Sequence, residues 1–215
     1  DLKESICQEV LDSLEFNSAN QGDVMAAMRK EIDELKEVND DAEQYSRRTC
    51  LVISGVPERM NENTDSRIIQ LCKEDLGVDI KMDDVERSHR LGQQKPQSDG
   101  STKPRIGTTN YSHTPRNIIV KFNSYRTREQ VYSARFKLKN LSDENNHHVY
   151  INESLTKKRK ELLWKVRNKF KKIIDKTWTQ DGRICIKLKE GKGRVNVTRE
   201  RDLDKLSVYM RNSAI

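Results

Sequence analysis

Hydrophobic residues in the first 46 positions recur at helical spacing, not strand spacing. Leu11, Met25, Ile32 and the polar Asn39 fall at position a of a heptad, and Leu14, Met28, Leu35 and Ala42 at position d. The frame falters between them, where Ser18 and Gln21 take the a and d places. Residues 1–46 hold no Pro and only Gly22, so the pattern predicts one long helix with a coiled-coil seam. An Asn at an a position sets register at some cost in stability. The alternative is a single amphipathic helix packed on the next domain. Self-association is favoured, because little other apolar surface is available to cover the seam. The heptads alone permit a dimer or a trimer.

The pattern changes at Arg47–Arg48. Cys50–Val56 is a short β-branched run stopped by Pro57 and reads as a buried strand. Thr64 or Asp65 caps a predicted helix over 65–76, with Ile68, Ile69, Leu71, Cys72 and Leu76 available to its inner face and Gly77 after it. A second strand is expected at Val85–Leu91, then a loop over 92–116 rich in Gly, Pro, Ser, Thr and Gln. Asn117–Phe122 is the clearest strand; a helix at 126–139 and a strand at Val149–Asn152 follow. This is the ferredoxin-like β-α-β-β-α-β order of an α+β fold, which leaves one sheet face free to bind.

Leu155, Leu162, Leu163, Val166, Phe170, Ile173 and Ile174 then form one apolar stripe, predicting a second long helix over 155–176. Arg183–Lys189 and Arg194–Thr198 alternate strictly around a Gly191-Lys192-Gly193 turn, a hairpin signature, and a last short helix is expected at 202–210. The expected parts are a coiled coil at 1–46, a sheet domain at 47–154 and a helix-hairpin-helix α+β domain at 155–210.

Charge sharpens this division. The 215 residues are 35% charged and only 33% hydrophobic, which predicts an elongated molecule with modest cores. The net charge of +7 favours an anionic partner. Residues 1–47 carry 13 acidic and 5 basic residues, a net of −8, and the rest a net of +15. The segment 155–176 holds ten Lys/Arg against Glu161 and Asp175. An ordinary solvated face mixes signs so that i,i+4 pairs help. Ten against two repel one another, and a polyanion relieves that while releasing counterions.

Candidate nucleic-acid contacts are Arg47, Arg48, Arg87, Arg90, Arg116, Lys121, Lys137 and Lys139 around the sheet. Arg159, Lys165, Arg167, Lys169 and Lys172 join them from the basic segment, and Arg194 from the hairpin. Each alone is an ordinary surface charge; the signal is their clustering. Lys103 and Arg105 add charge in the long loop. Aromatic residues are scarce on the expected central strands, where Phe122 is the one example. Tyr111, Tyr125 and Tyr150 are candidates for stacking or for packing. Binding dominated by backbone charge, with little sequence preference, is therefore expected.

Catalytic and metal readings find no motif. Cys7, Cys50, Cys72 and Cys185 form no CxxC pair and read as reduced thiols. His89, His113, His147 and His148 have no Cys or carboxylate at ligand spacing, and Asp83, Asp84 and Glu86 read as a solvated loop. Neither GxxxxGK[ST] nor GxSxG occurs. The expectation is a binding protein, not an enzyme, with no cofactor and no metal. No run reaches the ~18–20 apolar residues of a membrane span, and no signal peptide is visible. The start at Asp1 reads as that of a fragment.

Five segments in order carry a resemblance: Glu43–Arg48 (EQYSRR), Leu51–Glu58 (LVISGVPE), Val85–Gly92 (VERSHRLG), Pro115–Phe122 (PRNIIVKF) and Leu155–Arg159 (LTKKR). Over about 43–206 the chain resembles the first-open-reading-frame protein of LINE-type non-LTR retrotransposons. The resemblance implies a homotrimeric coiled coil, a noncanonical RNA-recognition (RRM) domain and a separate C-terminal domain. It implies a single-stranded RNA-binding nucleic-acid chaperone that coats the element's transcript in cytoplasmic ribonucleoprotein particles, with the nucleus as a second compartment and single-stranded DNA as a second ligand. Arg48, Arg87, Arg90, Arg116 and Arg167 fall at or near basic positions that contact RNA in that family. Cys50 and Val52 depart from it, since relatives often show Asn and Arg in the first strand, and the 92–115 loop is longer than expected. A basic cleft between the sheet domain and the C-terminal domain is the expected RNA site. The rivals are a coiled-coil scaffold without a nucleic-acid role and a nucleic-acid enzyme such as a nuclease.

Overall fold

The computed structural model of the chain describes residues 2–93, 115–140, 148–189 and 193–212. It is a mixed α+β protein with a long N-terminal helix and two antiparallel sheets. Helix α1 runs Leu2–Ser46. The chain divides into two compact units, Asp1–Glu43 and Gln44–Ile215. In the first, the seam residues Leu11, Met25, Met28, Ile32 and Leu35 are about half exposed, as are Val24 and Val38. Asn39 and Ala42 are exposed as well, and the side chain of Leu14 lies outside the described residues.

The second unit begins with β1 (Cys50–Ser54), α2 (Thr64–Glu74), β2 (Val85–Arg90), β3 (Ile118–Phe122), α3 (Tyr125–Ala134) and β4 (Tyr150–Glu153). The four strands lie in the order β2-β3-β1-β4, all pairs antiparallel. Asn63 caps α2, its side chain accepting from the Ser66 N–H at 3.0 Å, one residue before the expected Thr64. The predicted helix at 126–139 divides into α3 and a 3₁₀ segment, Arg135–Asn140.

Strand alternation sorts this sheet into two faces. Leu51, Ile53, Ile118, Val120, Phe122 and Ile151 are buried with Ile68, Leu71 and Cys72 of α2 and Val131 and Tyr132 of α3. Arg87, His89, Ile119, Lys121, Val52 and Asn152 point the other way. Gly55 follows β1 with φ +85, and a Cβ there would meet the His148 carbonyl oxygen at 2.1 Å, so only glycine fits this approach.

The C-terminal part differs from the predicted helix over 155–176. Helix α4 spans Lys157–Lys169 and stops at Phe170. Strand β5 (Ile174–Gln180) takes the rest, pairing with β6 (Arg183–Leu188), which pairs with β7 (Arg194–Val197). Helix periodicity persisted in the sequence because Ile173 and Ile174 pack on the same core as Leu162, Val166 and Phe170, but from a turn and a strand. The decisive local signal is Asp181-Gly182, both with positive φ (50 and 72), a two-residue hairpin turn joining β5 to β6. Helix α5 (Asp202–Asn212) contributes Leu203 and Leu206 to that core. Gly191 and Lys192 of the expected hairpin turn lie outside the described residues, as does 94–114 of the long loop with Lys103, Arg105, Tyr111 and His113.

A polar network joins the two cores. Glu153 at the end of β4 accepts from Arg128 Nη2 at 2.5 Å and from the backbone N–H groups of Asp181 and Gly182 at 2.8 and 3.2 Å. The Tyr132 hydroxyl donates to the Thr179 carbonyl at 3.1 Å, and Arg159 Nη1 to the Gly182 carbonyl at 3.1 Å. Gln44 donates to the Ser154 carbonyl and accepts from the Thr156 N–H, both at 3.0 Å, which ties the exit of β4 to the start of α4. Among the described residues no helix is long and apolar enough to cross a membrane.

Candidate nucleic-acid interface

Helix α4 concentrates exposed cations because its burial and its charge are on different faces. Thr156 caps it, accepting from the Arg159 N–H at 3.2 Å. Leu162, Val166 and Phe170 are buried, while Lys157, Lys158, Lys160, Lys165, Arg167 and Lys169 are exposed. Lys165 is ion-paired with Glu200. Among the described residues no carboxylate pairs with Lys157, Lys160 or Arg167. These three lie seven and four residues before and three after Trp164, hence on its helix face. The Trp164 side chain is 67% exposed. An indole between cations offers a stacking surface to a base and charge to its phosphates at once.

A second cluster lies near the junction of the two cores. Arg48 stacks on two phenol rings, its guanidinium carbon 4.8 Å from the Tyr45 centroid and 5.0 Å from that of Tyr125. The Tyr125 hydroxyl donates to Asp181 at 2.7 Å; that carboxylate, with burial, pushes the phenol up to about 12. Tyr125 therefore stays protonated and holds the ring against Arg48, which is exposed. Arg47 donates to the Ser154 hydroxyl at 3.3 Å.

On the open face of the four-stranded sheet, Arg87 is exposed and sits opposite Lys121, which pairs with Glu86 at 2.7 Å. Tyr150 is 59% exposed at the far edge. The central positions are Val52 and Ile119, so among the described strand residues no aromatic platform occupies the middle of this face.

Several predicted contacts have other duties. Arg90 is the clearest correction. All five of its N–H donors are taken: Nε and Nη2 by Glu62 at 2.7 and 3.0 Å, Nη1 by the Val56 and Arg116 carbonyls at 2.7 Å each, and Nη2 again by Pro57 at 3.0 Å. Its side chain is 5% exposed, so it clamps the turn after β1 to the start of β3 and offers nothing to phosphate. Arg116 forms a forked pair with Glu58, Nη2 donating to Oε2 at 2.8 Å and Nε to Oε1 at 3.2 Å. Lys137 donates to the Leu76 carbonyl at 2.7 Å, closing the end of α2. Arg159 is buried. Lys139 and Lys172 are exposed, the latter in the turn after α4 and not on the expected helix.

The expected basic cleft lies between these two parts. Arg128 and Arg159, the cations at the junction itself, are buried in its polar network. Arg48 beside the junction is exposed, and further exposed positive charge lies on α4 and on the C-terminal sheet, where Lys176, Arg183, Lys187 and Arg194 are exposed. Trp164 was missed in the sequence, although a tryptophan inside a Lys/Arg run signals both stacking and charge. Among the described residues no three His, Cys, Asp or Glu side chains group as a metal site would. No protein-family model matches the chain, and a comparison with curated proteins finds no match.

Proposed function

We propose that this chain is a single-stranded RNA-binding protein with nucleic-acid chaperone activity, which self-associates through α1 and coats RNA in ribonucleoprotein particles. The observation that carries this reading is the exposed Lys157–Lys160–Trp164–Arg167 face of α4. Cations there hold phosphates and release counterions, while the indole stacks on any base without reading its edge. Such contacts are weak, exchangeable and tolerant of sequence, which suits strand rearrangement. Single-stranded DNA offers the same phosphates and bases and is the second ligand.

The β-α-β-β-α-β order and strand order β2-β3-β1-β4 support the reading of residues 47–154 as a noncanonical RNA-recognition domain. The aliphatic Val52 and Ile119 stand where ordinary RNA-recognition sheets put aromatics, consistent with binding through charge. The exposed seam of α1 supports self-association, and the resemblance to LINE first-open-reading-frame proteins selects the homotrimer. Tethered copies raise avidity without new contacts. The same resemblance assigns the particles to the cytoplasm, with the nucleus as a second compartment, and gives the chain a role in binding and not in bond-making chemistry.

The test is retention of labelled single-stranded RNA and duplex DNA on filters over a series of salt concentrations. The logarithm of RNA affinity is expected to fall linearly with that of salt, by roughly 0.7 for each phosphate neutralised. An affinity that hardly changes with salt would overturn the electrostatic mechanism. The scaffold reading draws on the same exposed seam. It is favoured if reversing the charges of Lys165, Arg167 and Lys169 leaves RNA retention intact.

A further inference from the structure

The C-terminal sheet has a second face, turned away from α4 and α5. Helix residues Leu162, Val166, Leu203 and Leu206 pack on Ile184, Ile186 and Val197, which defines the inner side. Register then places Trp178, Cys185 and Asn196 in one outward row across the three strands, and Lys176, Lys187 and Arg194 in the next. Arg183 is exposed at the turn end of β6. Among the described residues these outward positions include no Asp or Glu. Asp175, at the irregularity in β5, approaches Lys187 at 3.5 Å.

Arg194 is held in place by one side chain from each strand. Its Nη1 donates to Gln180 Oε1 on β5 at 2.8 Å, its Nη2 to Cys185 Sγ on β6 at 2.9 Å, and its Nε to Asn196 Oδ1 on β7 at 2.8 Å. The guanidinium carbon lies 5.6 Å from the centroid of the Trp178 ring. These bonds use three of five donors and leave two for a ligand. None of the three acceptors carries a carboxylate, so the positive charge is oriented without being neutralised. A fixed guanidinium beside an indole, with lysines and an arginine around it, has the elements of a single-strand site: a stacking surface and cations for the backbone.

We infer that this face is a second single-strand site, at which a nucleobase stacks on the Trp178–Arg194 pair while Lys176, Arg183 and Lys187 hold the adjoining phosphates. The inference rests on the reading of the chain as an RNA-binding protein. The α4 face and this face lie on opposite sides of one small sheet, so a short oligonucleotide occupies one or the other. Two strands can then be held by one domain, an arrangement that favours annealing.

The chain holds only two tryptophans, Trp164 and Trp178, so the full-length Trp164→Phe variant reports Trp178 alone. Oligouridylate is added to this variant while emission is followed, and RNA retention on filters is measured in parallel. Quenching that saturates with binding is expected, and Arg183→Glu/Lys187→Glu in the same background is expected to weaken the quenching phase about tenfold. Both side chains of this pair are exposed, so the substitution spares the fold where Trp178→Ala would not. Retention of RNA with flat Trp178 emission and unchanged affinity in the double reversal would overturn the second site and leave the α4 reading standing. Failure of the unaltered chain to retain RNA would overturn both.

Discussion

Glu153 and Arg128 meet at 2.5 Å with both side chains 2% exposed, and the same carboxylate caps the Asp181–Gly182 turn of the other sheet. One buried charge thus serves two cores. Removing one partner of a buried pair costs ~3–5 kcal/mol where it leaves the other unpaired; Arg128 keeps Glu129 on Nη1 at 2.7 Å, so the loss of Glu153 falls at or below the lower end of that range. Glu153→Ala is expected to lower the urea midpoint accordingly. Arg128→Met/Glu153→Leu should recover part of the loss but not all, because the Asp181 and Gly182 N–H groups still lack their acceptor. Equal stability of the wild type and Glu153→Ala would show that the junction contributes little.

Arg90 and Arg167 separate structural from binding arginines. Arg90→Ala strands Glu62 and three carbonyl acceptors, so a stability loss of about 2–4 kcal/mol is expected. The salt slope of RNA binding should stay unchanged. Arg167→Ala is exposed on α4 and should leave the unfolding midpoint alone while reducing that slope by about one phosphate contact. Denaturation curves and salt titrations on both variants decide the assignment, and a reversal of the two outcomes would refute it.

Acid sensitivity follows from Glu62 and Glu58. Hydrogen bonds from Arg90 hold the Glu62 carboxyl below its ordinary value of 4.5, and those from Arg116 do the same for Glu58. A folded-state pKa below the unfolded one means the unfolded chain takes up the proton first. The stabilisation is therefore complete above about pH 4.5 and is lost as pH falls through the lower folded-state values. Glu62→Gln should lower stability at pH 7 and flatten the acid limb of a plot of urea midpoint against pH. A limb as steep as that of the wild type would place the acid-sensitive groups elsewhere.

The α1 seam sets the fourth prediction. Met28, Ile32 and Leu35 are 57%, 49% and 60% exposed. Burying each fully against other copies is worth ~1.5–3 kcal/mol. Ile32→Asp/Leu35→Asp is expected to give a monomer by light scattering, with near-unchanged far-ultraviolet signal from the sheets and weaker RNA retention through lost avidity. Unaltered mass would show that α1 is not the contact between copies.

Residue order alone determined most of the elements. Period-two runs such as Asn117–Phe122 and the helical seam over 11–42 are local patterns, and local patterns survive in one dimension. The strand at 174–180 was not legible from the apolar stripe, since Ile173 and Ile174 fit a helix face and a strand start equally well; pairing with β6 decided it. The site divided in the same way. That residues 48–215 carry a surplus of positive charge is a property of composition. Which arginines are available is a property of packing. Arg90 and Arg167 look alike in sequence, but long-range partners at Val56, Pro57, Glu62 and Arg116 take every donor of the first, while helix geometry leaves the second on the surface beside Trp164. A side chain's charge is set by its chemistry, whereas its freedom to meet a ligand depends on neighbours that only folding brings within hydrogen-bond reach.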